Sequence, residues 1–166
     1  MTDAAAVPTY VNAQGARSVN DQLRIDNPES ASVLMLPAHP TSVLIGRHAV
    51  LAWLHFAPDR YDRATVLLMA TELLANALDY SNGPLVLTVS AGEDDRMRVE
   101  VQDASPNRGV LTAADVDRIS DESRHLKMIR SLADCWGTEL RLADPEAALR
   151  VVWFECRPIG AGRLPR

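Results

Sequence analysis

A carboxylate and a carboxamide, Glu72 and Asn76, stand four positions apart in a segment with helical periodicity. Residues at this spacing share one face of an α-helix. Their oxygens suit a hard cation such as Mg²⁺, bound directly or through its waters, and the carboxylate could act as a general base on a hydroxyl. Glutamate and asparagine at this spacing are also common as solvated helix residues, so the pair alone does not identify a site.

A third candidate, Asp103, ends the alternating segment from Met97 to Gln102 and opens a loop that contains Ser105 and Pro106. A carboxylate at the end of a strand can accept a hydrogen bond from an amino group of a ligand in the layer above. Aspartate also starts many turns for purely structural reasons. The chemistry of the three residues therefore depends on the elements that position them.

The helix that carries Glu72 and Asn76 is predicted from about Arg60 to Tyr80. Its apolar residues recur with a period near 3.6, which is typical of a helix with one buried face. The predicted buried positions are Ala64, Leu67, Leu68, Leu74, Ala75 and Leu78. Glu72 and Asn76 border this stripe, so we expect them at the edge of the packed face.

Three further helices are predicted. The first runs from Thr41 or Ser42 to about Phe56, and the last from about Glu122 to Trp136. Between them lies a short helix that contains Val116 and Ile119 and that Thr112 can cap. Either Thr41 or Ser42 can cap the first of them. That helix is apolar nearly all round, so we expect a protein partner or a second copy to cover part of it. Gly137 is expected to close the last helix.

Strands are predicted where apolar and polar residues alternate. Leu85 to Ser90 and Met97 to Gln102 form an expected antiparallel hairpin with one buried face. The other predicted strands are Val33 to Leu36, Thr138 to Leu142 and Leu149 to Cys156. Hairpin-paired strands and grouped helices predict an α+β two-layer sandwich, with helices on one face of a mixed, mostly antiparallel sheet.

Length and composition predict one domain with a real core, since the chain has 166 residues of which 47% are apolar. We expect a polar, mobile arm over residues 1–30, the folded domain over 31–157 and a flexible tail over 158–166. The arm could instead add an edge strand or contact a partner. The net charge of -5 argues against direct nucleic-acid binding. No signal peptide or membrane-spanning segment is evident, so we expect a cytoplasmic protein without membrane contact.

The order of these motifs resembles the GHKL (histidine-kinase-like) ATPase superfamily. The resemblance covers about residues 33 to 155. It is carried by the helix motif Glu72-Leu73-Leu74-Ala75-Asn76-Ala77, the strand end Val101-Gln102-Asp103-Ala104 and the closing strand Val152-Trp153-Phe154-Glu155. Within the superfamily, the sequence is most similar to short actinobacterial ATP-binding proteins related to anti-sigma-factor serine/threonine kinases.

The resemblance implies a role for each candidate. Asn76 would coordinate Mg²⁺ on the phosphates of ATP, Glu72 would activate the hydroxyl of a target serine, and Asp103 would bind the adenine amino group. The implied protein is a homodimeric kinase that regulates transcription by partner switching. Its partners would be an anti-sigma-factor antagonist, a sigma factor, or both.

The chain departs from the family pattern where a Gly-x-Gly-Leu segment normally lets the backbone approach the phosphates. Ser123 and His125 occupy the two glycine positions here. Arg124, His125 and Lys127 could replace the backbone contacts with side-chain contacts to the phosphates. Alternatively, these side chains block the approach, and the domain is a degenerate protein-binding module without kinase activity. Glu122 would add a negative charge near the phosphates.

Overall fold

A computed structural model describes residues 10–12, 15–16, 31–81, 83–92, 95–104, 123–144 and 147–161. Its helices are α1 (Thr41–His55), α2 (Arg63–Tyr80) and α3 (Arg124–Leu132). Its strands are β1 (Tyr10–Asn12), β2 (Gly15–Ala16), β3 (Ser32–Leu36), β4 (Leu85–Ala91), β5 (Met97–Ala104), β6 (Cys135–Asp144) and β7 (Ala147–Cys156). The predicted short helix around Val116, and Glu122, lie outside the described residues.

The strands form one sheet in the order β2-β1-β3-β4-β5-β7-β6. Every pairing among the described strands is antiparallel, so the expectation of a mixed sheet is wrong for this part of the chain. The physical reason is that β7 runs back against both of its neighbours, β5 and β6. The α+β class and the hairpin of β4 and β5 are confirmed.

One face of the sheet is buried against the helices. The alternating residues that the sequence assigned to the buried face of the hairpin are all inside, and they are Leu85, Leu87, Val89, Met97, Val99 and Val101. Helix α1 packs on β3 and β4, whereas α2 packs on β5 and β7. The end of α2 lies over β7, since the guanidinium of Arg150 is 5.0 Å from the ring centroid of Tyr80.

The other face of the central strands carries charged side chains. Arg98 donates to Glu100 and Glu155, and Arg141 donates to Glu100 at 2.7 Å. The hydrogen bond to Glu100 is the main cause of the raised pKa of Arg141. Partly exposed pairs of this kind each contribute about 0–1 kcal/mol, so they indicate which face meets solvent more than they stabilise the fold.

The buried face of α2 differs from the predicted one. The residues inside are Val66, Met69, Ala70, Leu73, Leu74, Asn76 and Ala77, whereas Leu68 is 42% exposed. Apolar residues occur nearly all round this helix, so periodicity alone does not define its rotation. Contact with α1, α3 and the sheet selects a face that buries Asn76 completely.

The start of α1 is also stabilised differently from the prediction. Neither Thr41 nor Ser42 is the cap, because the residue before the helix is Pro40, which has no capping side chain. The backbone N–H of Thr41 donates instead to Nδ1 of His39 at 3.2 Å. The hydroxyl of Ser42 points inward and donates to the carbonyl oxygen of Pro37 at 2.6 Å.

Several large apolar side chains stay exposed beside this helix. They are Met35, Leu44, Ile45, Phe56 and Leu68, of which Leu44 is the most open at 59%. Their exposure agrees with the apolar surface that the sequence of the first helix suggests, and no other described element covers them. Of the helices described, none combines the length and the apolar character that crossing a bilayer requires.

Gly137 does not close a helix. Helix α3 ends at Leu132, its C-cap is Ala133, and Gly137 lies in β6 directly opposite Trp153 of β7. A Cβ atom on Gly137 would lie 2.7 Å from Cζ2 of Trp153. The glycine is therefore needed for space, since the indole ring lies across its position and also contacts the guanidinium of Arg98.

The two cysteines are free thiols on neighbouring strands. Cys135 pairs in register with Glu155, so it lies diagonally from Cys156. Burial raises the pKa of the Cys156 thiol to about 12, which keeps it protonated near neutral pH and makes it a poor nucleophile.

Gly137→Ala is expected to lower the free energy of unfolding by about 1–3 kcal/mol, because the added methyl group overpacks the indole of Trp153. Urea denaturation followed by circular dichroism measures this change. Gly92→Ala is the matched control, since the nearest atom to its added Cβ would be a carbonyl oxygen 3.4 Å away. Equal losses in both variants would contradict the packing role of Gly137.

Candidate functional site

Helix α2 carries the two candidates Glu72 and Asn76, which lie one turn apart. Its N-terminus is capped by Asp62, whose carboxylate accepts from the backbone N–H groups of Ala64 and Thr65 and from the Thr65 hydroxyl. These hydrogen bonds, led by the one from the Thr65 hydroxyl, lower the pKa of Asp62. The cap therefore stabilises the fold fully at pH values above the ordinary pKa of aspartate. This stabilisation is lost as the pH falls through the lowered pKa of Asp62.

Asn76 is held by the N-terminus of α3. Its Nδ2 donates to the hydroxyl oxygen of Ser123 at 2.8 Å, and the same oxygen accepts from the backbone N–H of Leu126 at 3.3 Å. Ser123 is thus the N-cap of α3 and also the attachment of α3 to α2. Ser123, which occupies the first of the two glycine positions of the predicted phosphate-binding segment, is therefore a helix cap in this structure.

The other atom of the Asn76 amide is unsatisfied. Oδ1 is buried and has no hydrogen-bond partner among the described residues. Leaving a buried acceptor unpaired costs about 1–3 kcal/mol. An amide oxygen in this situation is a suitable ligand for a hard cation.

His125 bridges two carboxylates of α2. Its Nδ1 lies 2.5 Å from Oε2 of Glu72, and its Nε2 lies 3.2 Å from Oδ2 of Asp79. Because a carboxylate only accepts, each contact is a hydrogen bond when the facing ring nitrogen carries a proton. The structure thus joins two predicted site residues and adds Asp79, which the sequence reasoning missed although it lies two turns beyond Glu72.

Arg124 and Lys127 do not join this cluster. Both side chains are exposed on α3, and neither forms an ion pair with another described residue. They remain close in sequence to Ser123 and His125, so they contribute positive charge near the start of α3. Their predicted contacts with phosphates stay predictions.

Asp103 lies in a second polar centre. It faces the helices from β5, is 1% exposed, and is directly opposite Arg150 of β7, which is equally buried. Nε and Nη2 of Arg150 donate to Oδ2 of Asp103 at 2.9 and 2.6 Å. The carboxylate that was predicted to bind an amino group of a ligand therefore already binds a cation of its own chain.

Arg150 was missed by sequence reasoning, although a signal was present. In β7 it occupies the alternating inward positions of Val152, Phe154 and Cys156, where an arginine is unusual. Its guanidinium lies 5.0 Å from the ring centroid of Tyr80 at the end of α2, within reach of a cation–π contact. Its Nη1 is buried without a hydrogen-bond partner among the described residues.

The two centres share α2 and differ in chemistry. The first combines Glu72, Asn76, Asp79, Ser123 and His125 and includes an unsatisfied oxygen. The second is a buried ion pair beneath the end of the same helix. Within the described residues, no three side chains of His, Cys, Asp or Glu are arranged to hold a metal ion by themselves.

Comparisons with known protein families and with curated proteins find no match to this chain.

Arg150→Met is expected to lower the free energy of unfolding by about 3–5 kcal/mol, because it removes the buried guanidinium that donates two hydrogen bonds to the Asp103 carboxylate. Adding Asp103→Leu should recover most of that loss, since an apolar pair of similar volume is often as stable as a buried ion pair. Chemical denaturation of the single and double variants measures both effects.

The matched control is Arg141→Met, which removes a partly exposed arginine from the other face of the sheet. Its cost should not exceed about 1 kcal/mol. An Arg150→Met variant no less stable than Arg141→Met would contradict the structural importance of the buried pair.

Proposed function

We propose that this chain is a cytoplasmic ATP·Mg²⁺-binding regulator of the histidine-kinase-like class, similar to anti-sigma-factor serine/threonine kinases. It would phosphorylate a serine or threonine of an antagonist protein and so control a sigma factor by partner switching. The observation that carries the proposal is the buried Oδ1 of Asn76, which has no hydrogen-bond partner among the described residues. Asn76 lies one helical turn from Glu72, and its Nδ2 donates to the hydroxyl oxygen of Ser123 at the start of α3.

The residues of the first centre are suited to this role. Asn76 and the start of α3 would hold the cation and the phosphates, and Arg124 and Lys127 would add positive charge. Because Asn76 provides only one oxygen, most ligands of the cation would be phosphate oxygens and water. Bound ATP would supply the phosphoryl group, while Glu72 would accept the proton of the target hydroxyl.

Asp103 is suited less well to adenine. Its Oδ2 already accepts two hydrogen bonds from Arg150, and the ion pair is fully buried. An adenine amino group would have to share the carboxylate with the guanidinium. The proposal therefore rests on the first centre and not on Asp103.

A protein partner is supported by the exposed apolar residues near α1. Leu44 and Ile45 on α1, together with Met35 on β3, offer apolar surface that no described element covers. In the proposed function this surface would pack against a second copy or against the antagonist protein.

A second function is supported by a different observation. Glu72 is bonded to His125, and Asp103 is bonded to Arg150, so two of the three family positions are satisfied within the chain. A domain whose polar groups already have partners can remain folded without nucleotide. This favours a protein-binding module without kinase activity as the alternative.

Asn76→Leu is expected to weaken Mg²⁺-dependent ATP binding by about tenfold or more, which corresponds to about 1.4 kcal/mol. The leucine keeps the branched shape and removes the oxygen ligand, together with the hydrogen bond from Nδ2 to Ser123. Calorimetric titration of ATP, with Mg²⁺ and with a chelator, measures the effect after each variant has been shown to be folded. Thr71→Val, on the same helix, is the control and should bind like the wild type.

An absence of ATP binding at millimolar concentration in the wild type would contradict the nucleotide site and favour the binding module. Equal binding by wild type and Asn76→Leu would remove the role of the amide oxygen.

Glu72→Gln is expected to slow phosphorylation of the antagonist by about 10²-fold or more, because the amide cannot act as the general base. ATP binding should remain. Transfer of labelled phosphate to serine or threonine of antagonist proteins from the same genome measures the rate. An antagonist that binds the protein tightly and is never phosphorylated would favour the second function.

A further inference from the structure

The contact of His125 with Glu72 has a defined geometry. Nδ1 engages only Oε2 of the carboxylate, and Oε1 has no hydrogen-bond partner among the described residues. The Glu72 side chain is 24% exposed, whereas that of His125 is 11% exposed. One oxygen of the carboxylate is therefore held by His125, and the other has no partner within the part of the chain that the structure describes.

The imidazole is itself held on several sides. Asp79 contacts Nε2 at 3.2 Å, so the ring is oriented between two carboxylates. The neighbouring Ser123 is tied to Asn76, and Leu126 and Ile129 are buried beneath α3. These contacts fix the position of α3 in this structure, with His125 against Glu72.

A flexible glutamate loses catalytic efficiency because its carboxylate samples several rotamers, and small misplacement of a reacting group costs rate. A side chain that fixes one carboxylate oxygen reduces this freedom. The same arrangement, a base oriented by a further hydrogen-bonding group, is a general feature of activated catalytic groups.

We propose that His125 is a positioning residue for Glu72, an inference that rests on the proposed function. His125 holds Oε2, and the proton that Glu72 takes from the acceptor hydroxyl goes to Oε1. Asp79 fixes the ring and does not touch the reacting atoms. The side chain at the second glycine position thus contributes to the reaction step and not to the binding of nucleotide.

Three substitutions separate this role from a purely structural one. His125→Asn places an amide N–H near the position of Nδ1 and keeps the bond to Glu72. His125→Leu removes both contacts, and Asp79→Asn alters only the outer contact. His48→Asn, which changes an exposed histidine of α1, is the control.

The first readout is nuclear magnetic resonance of the histidine ring nitrogens in the free protein. Glu72→Gln should shift the Nδ1 resonance of His125, and Asp79→Asn should shift its Nε2 resonance, with neither changing His48. Unchanged His125 resonances in both variants would overturn the proposal without any reference to nucleotide.

The second readout combines ATP binding by calorimetry with hydrolysis of Mg²⁺-ATP, in which water replaces the protein hydroxyl. His125→Leu should lower kcat on the order of 10- to 100-fold with unchanged ATP affinity, and His125→Asn should restore most of the rate. In the Glu72→Gln background, His125→Leu should have no further effect.

The outcomes separate the two proposals. Absence of ATP binding overturns the proposed function and with it the positioning role. Glu72-dependent hydrolysis that His125→Leu leaves unchanged overturns the positioning role alone. ATP binding without Glu72-dependent hydrolysis also overturns the positioning role, since His125 would then have no base to orient.

Discussion

The buried hydrogen bond from the Asn76 amide to the Ser123 hydroxyl joins the two helices that carry the first polar centre. Ser123 caps α3 with the same oxygen, so one atom both stabilises the start of that helix and bonds it to α2. Because α3 is held there, His125 lies over Glu72. Loss of this bond would leave a buried amide N–H unpaired, at a cost of about 1–3 kcal/mol, and would release the orientation of the whole centre.

The two polar centres differ in how far they are buried and in how easily a ligand could bind to them. The pair of Asp103 and Arg150 is enclosed between the sheet and the end of α2, so it is costly to disturb and difficult for a ligand to share. The first centre is only partly enclosed and keeps an unsatisfied oxygen on Asn76.

Parts of the fold could be predicted because local patterns determine them. In the hairpin of β4 and β5 every second residue from Leu85 to Val89 and from Met97 to Val101 is apolar and buried, and a period of two residues defines which side chains share a face. The rotation of α2 could not be predicted, since its apolar residues surround the helix and packing against α1 and α3 selects the buried face. The role of Gly137 was misread for a similar reason: a glycine after an apolar segment suggests a helix end, but its need for space arises from Trp153 on another strand.

The sequence by itself determined the α+β class, the hairpin and the placement of Glu72 and Asn76 on one helix, because each follows from the period of neighbouring residues. Only the tertiary structure decided the partners of the polar groups. The contacts of His125 with Glu72 and Asp79 join residues about fifty positions apart, 53 and 46 along the chain. Arg150 and Asp103 lie on neighbouring strands and are 47 positions apart along the chain. Such contacts depend on how helices and strands pack, and local periodicity contains no information about that.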